Sequence, residues 1–134
     1  MSTSKLFRKH ISELFFSLIM IRSKTIEGRL NQGDWEEMRE GYRIDWVNED
    51  FGFKREFRTA IVSKNVYPSF ETYLQAEGLH KTLPSIEKFE DGLKIYRFYY
   101  KPEEEIEYGV VALELKVFVR KSVNYDSILP LIII

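Results

Sequence analysis

Cysteine is absent from this 134-residue chain, which excludes a disulfide framework, a thiolate zinc site and a cysteine nucleophile. That absence suits a cytoplasmic protein. Histidine is scarce: His10 and His80 lie far apart in the sequence, so a His-rich metal site is set aside. The sequence suggests no cofactor and no metal. A charge excess is also missing, since 20 basic against 21 acidic side chains leave a net charge of −1. Bulk attraction to duplex DNA needs a strong basic surplus, although a small positive cleft needs none. Long apolar runs are missing too. "LFFSLIMI" follows basic residues as a secretory leader would, but Glu13 precedes it, Arg22 ends it and no small-residue cleavage signal follows. The tail "SILPLIII" falls far short of the ~20 residues that span a bilayer. No membrane partner is expected.

What is present is core-forming material. An apolar fraction of 44%, with 15% aromatic, excludes disorder for the body of the chain. The length suits one domain over residues 1–134, with a core from about 5 to 120 and an apolar tail over 121–134. Leu6, Phe7, Ile11, Leu14, Phe15, Leu18 and Ile19 recur at helical spacing, predicting a helix over 5–21 with Ser4 as its cap. "YRIDWV" (42–47) and "FKREFRTAIVSKNVY" (53–67) alternate as half-buried strands, joined by the turn-forming "NEDFG". Ser69 opens a helix that Gly78 stops, and "DGLKIYRFYYK" (91–101) predicts another. Pro102 and Glu103 to Glu107 read as a solvated loop, and "YGVVALELKVFVR" (108–120) as a central strand. The class is α+β, with short mixed strands curled into a barrel.

The segment "RSKTIEGR" (22–29) gathers the chemistry. A lysine such as Lys24 acts as base or nucleophile when burial lowers its pKa. Glu27 can pair with it or activate a water, and Arg29 offers a planar fork for phosphate, carboxylate or a base edge. In a regular strand Lys24 and Glu27 point to opposite faces, so their convergence calls for a turn or bulge, which Gly28 would permit. A charged surface strand is the plainer reading of the same residues. Glu77 ends a helix against the unfavourable pole of its dipole, and Lys24 could be the cation that offsets it. Tyr96, Phe98, Tyr99 and Tyr100 form an aromatic cluster that either packs the core or stacks a nucleobase. Trp35 and Trp46 read as packing residues.

"SLIMIRSKTIEGRL" resembles the signature segment of the ASCH domain, whose motif is G-x-K-x-x-E-x-R after an apolar helix. Lys24, Glu27 and Arg29 fill its last three defined places. The resemblance continues through "VYPSFETYLQAEGLHKTLPSIEKFEDGLKIYRFYY" and "EYGVVALEL", covering residues 10 to about 117. It implies a PUA-like mixed β-barrel with flanking helices, and a cleft lined by the motif. It also implies a link to RNA. Some members are proposed RNA binders or ribonucleases, and a bacterial branch removes acetate from N(4)-acetylcytidine. That branch uses a lysine, a threonine three residues later and a distal glutamate. The lysine matches Lys24 and the glutamate Glu77, but Glu27 stands at the threonine position. A carboxylate there would activate water rather than carry an acyl group. Arg22 replaces the motif's glycine, where its bulk would narrow the entrance or add a phosphate contact.

Three readings follow. In the first, a cleft binds RNA or a modified nucleoside and hydrolyses an N-acyl group, with Lys24, Glu27 and Glu77 catalytic and Arg22, Arg29 and Tyr96 contacting the ligand. In the second, the protein binds RNA without catalysis, and Lys54, Arg55 and Arg58 extend a positive surface. In the third, the motif orders its own cleft through internal ion pairs.

Overall fold

Alternation builds the sheet, and a computed structural model describes its residues 3–118. The strands are β1 (Leu6–His10), β2 (Ile26–Leu30), β3 (Arg43–Asn48), β4 (Arg55–Tyr67) and β5 (Val110–Val117). They form one curled, half-barrel sheet in the order β1-β3-β4-β5-β2. β1 runs parallel to β3, and every other pairing is antiparallel. A register shift between Ile61 and Ser63 interrupts the long β4, the kind of irregularity that bends a strand and raises its twist. β1 and β2 are therefore the two free edges.

β5 explains its own sequence. Val111, Leu113 and Leu115 enter a core with Phe16, Ile44, Trp46 and Ile61, while Val110 and Ala112 enter a second core with Phe70, Tyr73, Leu74 and Tyr96. A strand covered on both faces reads as a continuous apolar run.

The helices are α1 (Phe15–Met20), α2 (Asp34–Glu37), α3 (Phe70–Glu77), α4 (Leu79–Thr82), α5 (Phe89–Tyr99) and α6 (Pro102–Tyr108). Ser69 caps α3 by accepting from the Thr72 N–H at 3.1 Å, and Gly78 ends it at φ +85°. Two segments depart from the sequence reading. Residues 6–10 form β1 rather than the start of a helix, because pairing with Arg43 to Val47 satisfies their backbone. Ser4 accordingly bonds the Gly41 carbonyl instead of capping a helix. The acidic run is a helix, α6, with Pro102 in its first turn and Glu103, Glu104 and Glu105 set against the positive pole of its dipole. Among the described residues no helix is long and apolar enough to cross a membrane. The tail over 121–134 lies outside the described residues.

Candidate functional site

Two backbone clamps fix Lys24. Its N–H donates to Leu18 O at the end of α1, and the next residue, Thr25, donates to Lys81 O and accepts from Leu115 N. Since β2 begins at Ile26, Lys24 lies before the regular strand and is free to turn toward Glu27. No bulge is involved, and β2 pairs with β5 in unbroken register. Gly28 serves a different purpose. A Cβ there would stand 2.4 Å from Cζ of Tyr73, so the missing side chain lets that ring lie against the strand.

The Lys24 side chain is 1% exposed. Its Nζ donates to Ile26 O and Thr82 O, both at 2.6 Å, and lies 3.4 Å from Oε1 of Glu27. Glu27 is buried as well; Oε1 accepts from Gly28 N at 3.2 Å, and Oε2 lies 3.4 Å from Arg29. The Arg29 guanidinium lies 4.6 Å from the Trp35 ring centre, and Trp35 stacks on Trp46. Burial pushes the Lys24 pKa down, with the Glu27 carboxylate opposing. Burial alone would raise Glu27, but Lys24 and Arg29 outweigh it and hold the carboxyl below its ordinary value. The buried Lys24 and Glu27 and the half-buried Arg29 form a triad with one positive charge in excess.

These contacts also seal an edge. Ile26 O and Gly28 N belong to β2, which has a neighbour on one side only. Lys24 satisfies the carbonyl and Glu27 the N–H, so the motif caps backbone groups that an edge strand otherwise leaves open.

The triad lines a pocket of about 190 Å³. Its walls include Phe15, Leu83, Ile95, Tyr96, Tyr99 and Tyr100, and His10, Ile11 and Ser12 close it from the end of β1. The pocket thus lies where the two free edges of the half-barrel approach each other. Behind it, Tyr96 and Tyr100 sandwich Phe70 at ring separations of 4.5 and 5.1 Å. The Tyr96 hydroxyl bonds that of Tyr73 at 3.0 Å, and burial pushes its pKa well above the ordinary tyrosine value.

Of the residues singled out from sequence, Lys24, Glu27, Arg29 and Tyr96 meet in this pocket. Arg22 and Glu77 do not line it. Arg22 is exposed on the turn after α1 at φ +68°. Glu77 accepts from the Tyr67 hydroxyl at 2.9 Å, and the carboxylate paired with Lys24 is Glu27 instead. The three cations expected to extend a positive surface each have a carboxylate partner: Arg55 pairs with Glu13, Arg58 with Asp45 and Lys54 with Glu56. His10, Phe15 and the Thr82 carbonyl are not assigned to a site by the sequence, since nothing local marks residues that only long-range pairing brings together. Among the described residues no group of three or more His, Asp or Glu side chains is gathered as a metal site needs. A single carboxylate between two cations is itself a poor ligand set for a metal.

Fold and site together define a small α+β protein with an open, curled five-stranded sheet and, between its edges, a pocket of aromatic and aliphatic walls that holds one cluster of charged side chains. The crystal structure of hypothetical protein PH0355 is similar, with a TM-score of 0.74 and 32% identity over 85% of this chain and 99% of that one. The solution structure of protein PF0455 from Pyrococcus furiosus is similar too, with a TM-score of 0.66 and 31% identity over 87% of this chain and 99% of that one. The chain belongs to the family of these two proteins. No family model matches it, and no curated protein matches it significantly.

Proposed function

We propose that this is an ASCH-type protein of the PUA-like superfamily, acting in the cytoplasm, whose pocket holds one modified nucleoside, free or as part of an RNA. The observation that carries this reading is the Lys24–Glu27–Arg29 triad, with its lysine and glutamate buried, in a pocket walled by aromatic rings. A nucleobase has apolar faces that stack on aromatic rings and a polar edge that needs both donors and acceptors. The triad supplies both. A cavity of ~150 Å³ accepts benzene, so about 190 Å³ suits a single small ring rather than a run of bases.

For an N-acyl nucleoside such as N(4)-acetylcytidine, hydrolysis would use Glu27 and Arg29. Water adds to the acetamide carbonyl and gives its proton to Glu27. Arg29 faces the developing oxyanion, and the exocyclic nitrogen leaves as an amine after taking the proton back, releasing acetate. A second reading, binding without hydrolysis, has its own observation. The Lys24 ammonium already donates to two backbone carbonyls and pairs with Glu27, which ties this amine to the fold rather than to a ligand.

The test is incubation with N(4)-acetylcytidine, with chromatography for cytidine and calorimetry for binding, using wild type and Glu27→Gln. Cytidine released by wild type and not by Glu27→Gln establishes hydrolysis. Binding without release establishes the second reading, and neither binding nor release overturns both.

A further inference from the structure

Beyond the pocket wall, the aromatic residues of α5 continue outward. Tyr100 is half-buried and Tyr99, at 55% exposure, stands on the rim. Phe98 is 83% exposed, its ring edge-on to Tyr99 at 5.2 Å. Phe98 and Tyr99 together leave an aromatic step open beside the pocket that a ligand can cover. Its surroundings suggest which kind. Lys94 lies one helical turn earlier on the same face and Lys101 just past the end of α5; both are exposed, and neither has an acidic side chain within 4.0 Å among the described residues. The nearest basic neighbour, Arg97, is by contrast committed to Glu105 at 2.6 Å. An exposed aromatic ring with a cation on either side of it in the chain, next to Tyr99 on the pocket rim, is the kind of surface that single-stranded nucleic acid uses.

We infer that Phe98 and Tyr99 form a stacking step for the base next to the one in the pocket, with Lys94 and Lys101 meeting its phosphates. The ligand is then a nucleoside within a single strand of RNA rather than a free nucleoside. This inference rests on the nucleobase reading of the pocket.

The experiment compares N(4)-acetylcytidine with an RNA trinucleotide carrying N(4)-acetylcytidine at its centre, by calorimetric titration of wild type and Phe98→Ser. A base stacked on an aromatic side chain should tighten trinucleotide binding roughly five- to 150-fold over the nucleoside. Phe98→Ser should abolish that advantage and leave nucleoside affinity unchanged. Two phosphate contacts predict a shallow salt response, with log K against log salt falling at about −1.4. The inference is overturned if the nucleoside binds and the trinucleotide gains nothing, or if Phe98→Ser weakens both alike. It is equally overturned if wild type is a dimer by size-exclusion chromatography and Phe98→Ser is a monomer, for then a second copy covers the ring. If neither compound binds, the nucleobase reading falls with it.

Discussion

The Lys24 ammonium is enclosed by two carbonyl oxygens and a carboxylate, and its stem passes the Phe15 ring. Replacing it with an apolar chain of similar length leaves the Ile26 and Thr82 carbonyls without their donor and Glu27 without its nearer cation. Lys24→Met should therefore cost about 3–5 kcal/mol, the penalty for breaking a buried ion pair, read as a lower urea midpoint with an unchanged slope. Glu27 gives a pH-dependent counterpart. Its folded-state pKa lies below the unfolded value, so its contribution is complete above that value and is lost as pH falls through the folded one. The stability gap between wild type and Glu27→Gln should be widest near neutrality and close below about pH 4, since the unfolded side chain titrates near 4.3. Denaturant curves at several pH values measure it. Sequence alone identified Lys24, Glu27 and Arg29 as a group because their types and spacing are local. It misplaced Glu77 because helix-dipole logic says that a cation is wanted nearby without saying which polar group arrives; the Tyr67 hydroxyl did.

At the scale of elements, β2 and α3 fit closely at Gly28. The Tyr73 ring occupies the space that a side chain at residue 28 would need, and Tyr73 is fully buried. Gly28→Ala should cost about 1–3 kcal/mol by overpacking and disturb Tyr96 through the shared hydroxyl contact, detectable as a lower melting temperature together with weaker nucleoside binding. The strands β3, β4 and β5 and the helices α3 and α5 were legible because their periodicity, caps and apolar content agree. β1 was not. Leu6 and Phe7 fit a helical stripe with the residues that follow, and a parallel pairing more than thirty residues away overrides that stripe. α6 was missed because a run of glutamates reads as solvated, whereas behind a proline it makes a favourable first helical turn. Glu105 on that helix even reaches across to Phe70 N at 2.7 Å, tying α6 to the start of α3.

For the molecule as a whole, the informative feature is the gap between the two edges of the half-barrel. The end of β1 and the body of β2 are distant in the sheet order yet line one pocket. That closure depends on curvature, which no local pattern encodes, so the sequence could supply the motif but not its opposite wall. A ligand seated there links both edges and should resist unfolding. At one hundred times its dissociation constant, N(4)-acetylcytidine should add about 2.7 kcal/mol, seen as a rise in melting temperature that scales with the logarithm of ligand concentration. The chain also carries a gauge of that event. Its two tryptophans differ in setting: Trp46 is sealed in the core, while Trp35 lies against the Arg29 guanidinium. A ligand that draws Arg29 off that ring changes the surroundings of a stacked indole pair, so intrinsic fluorescence should report occupancy without any added label.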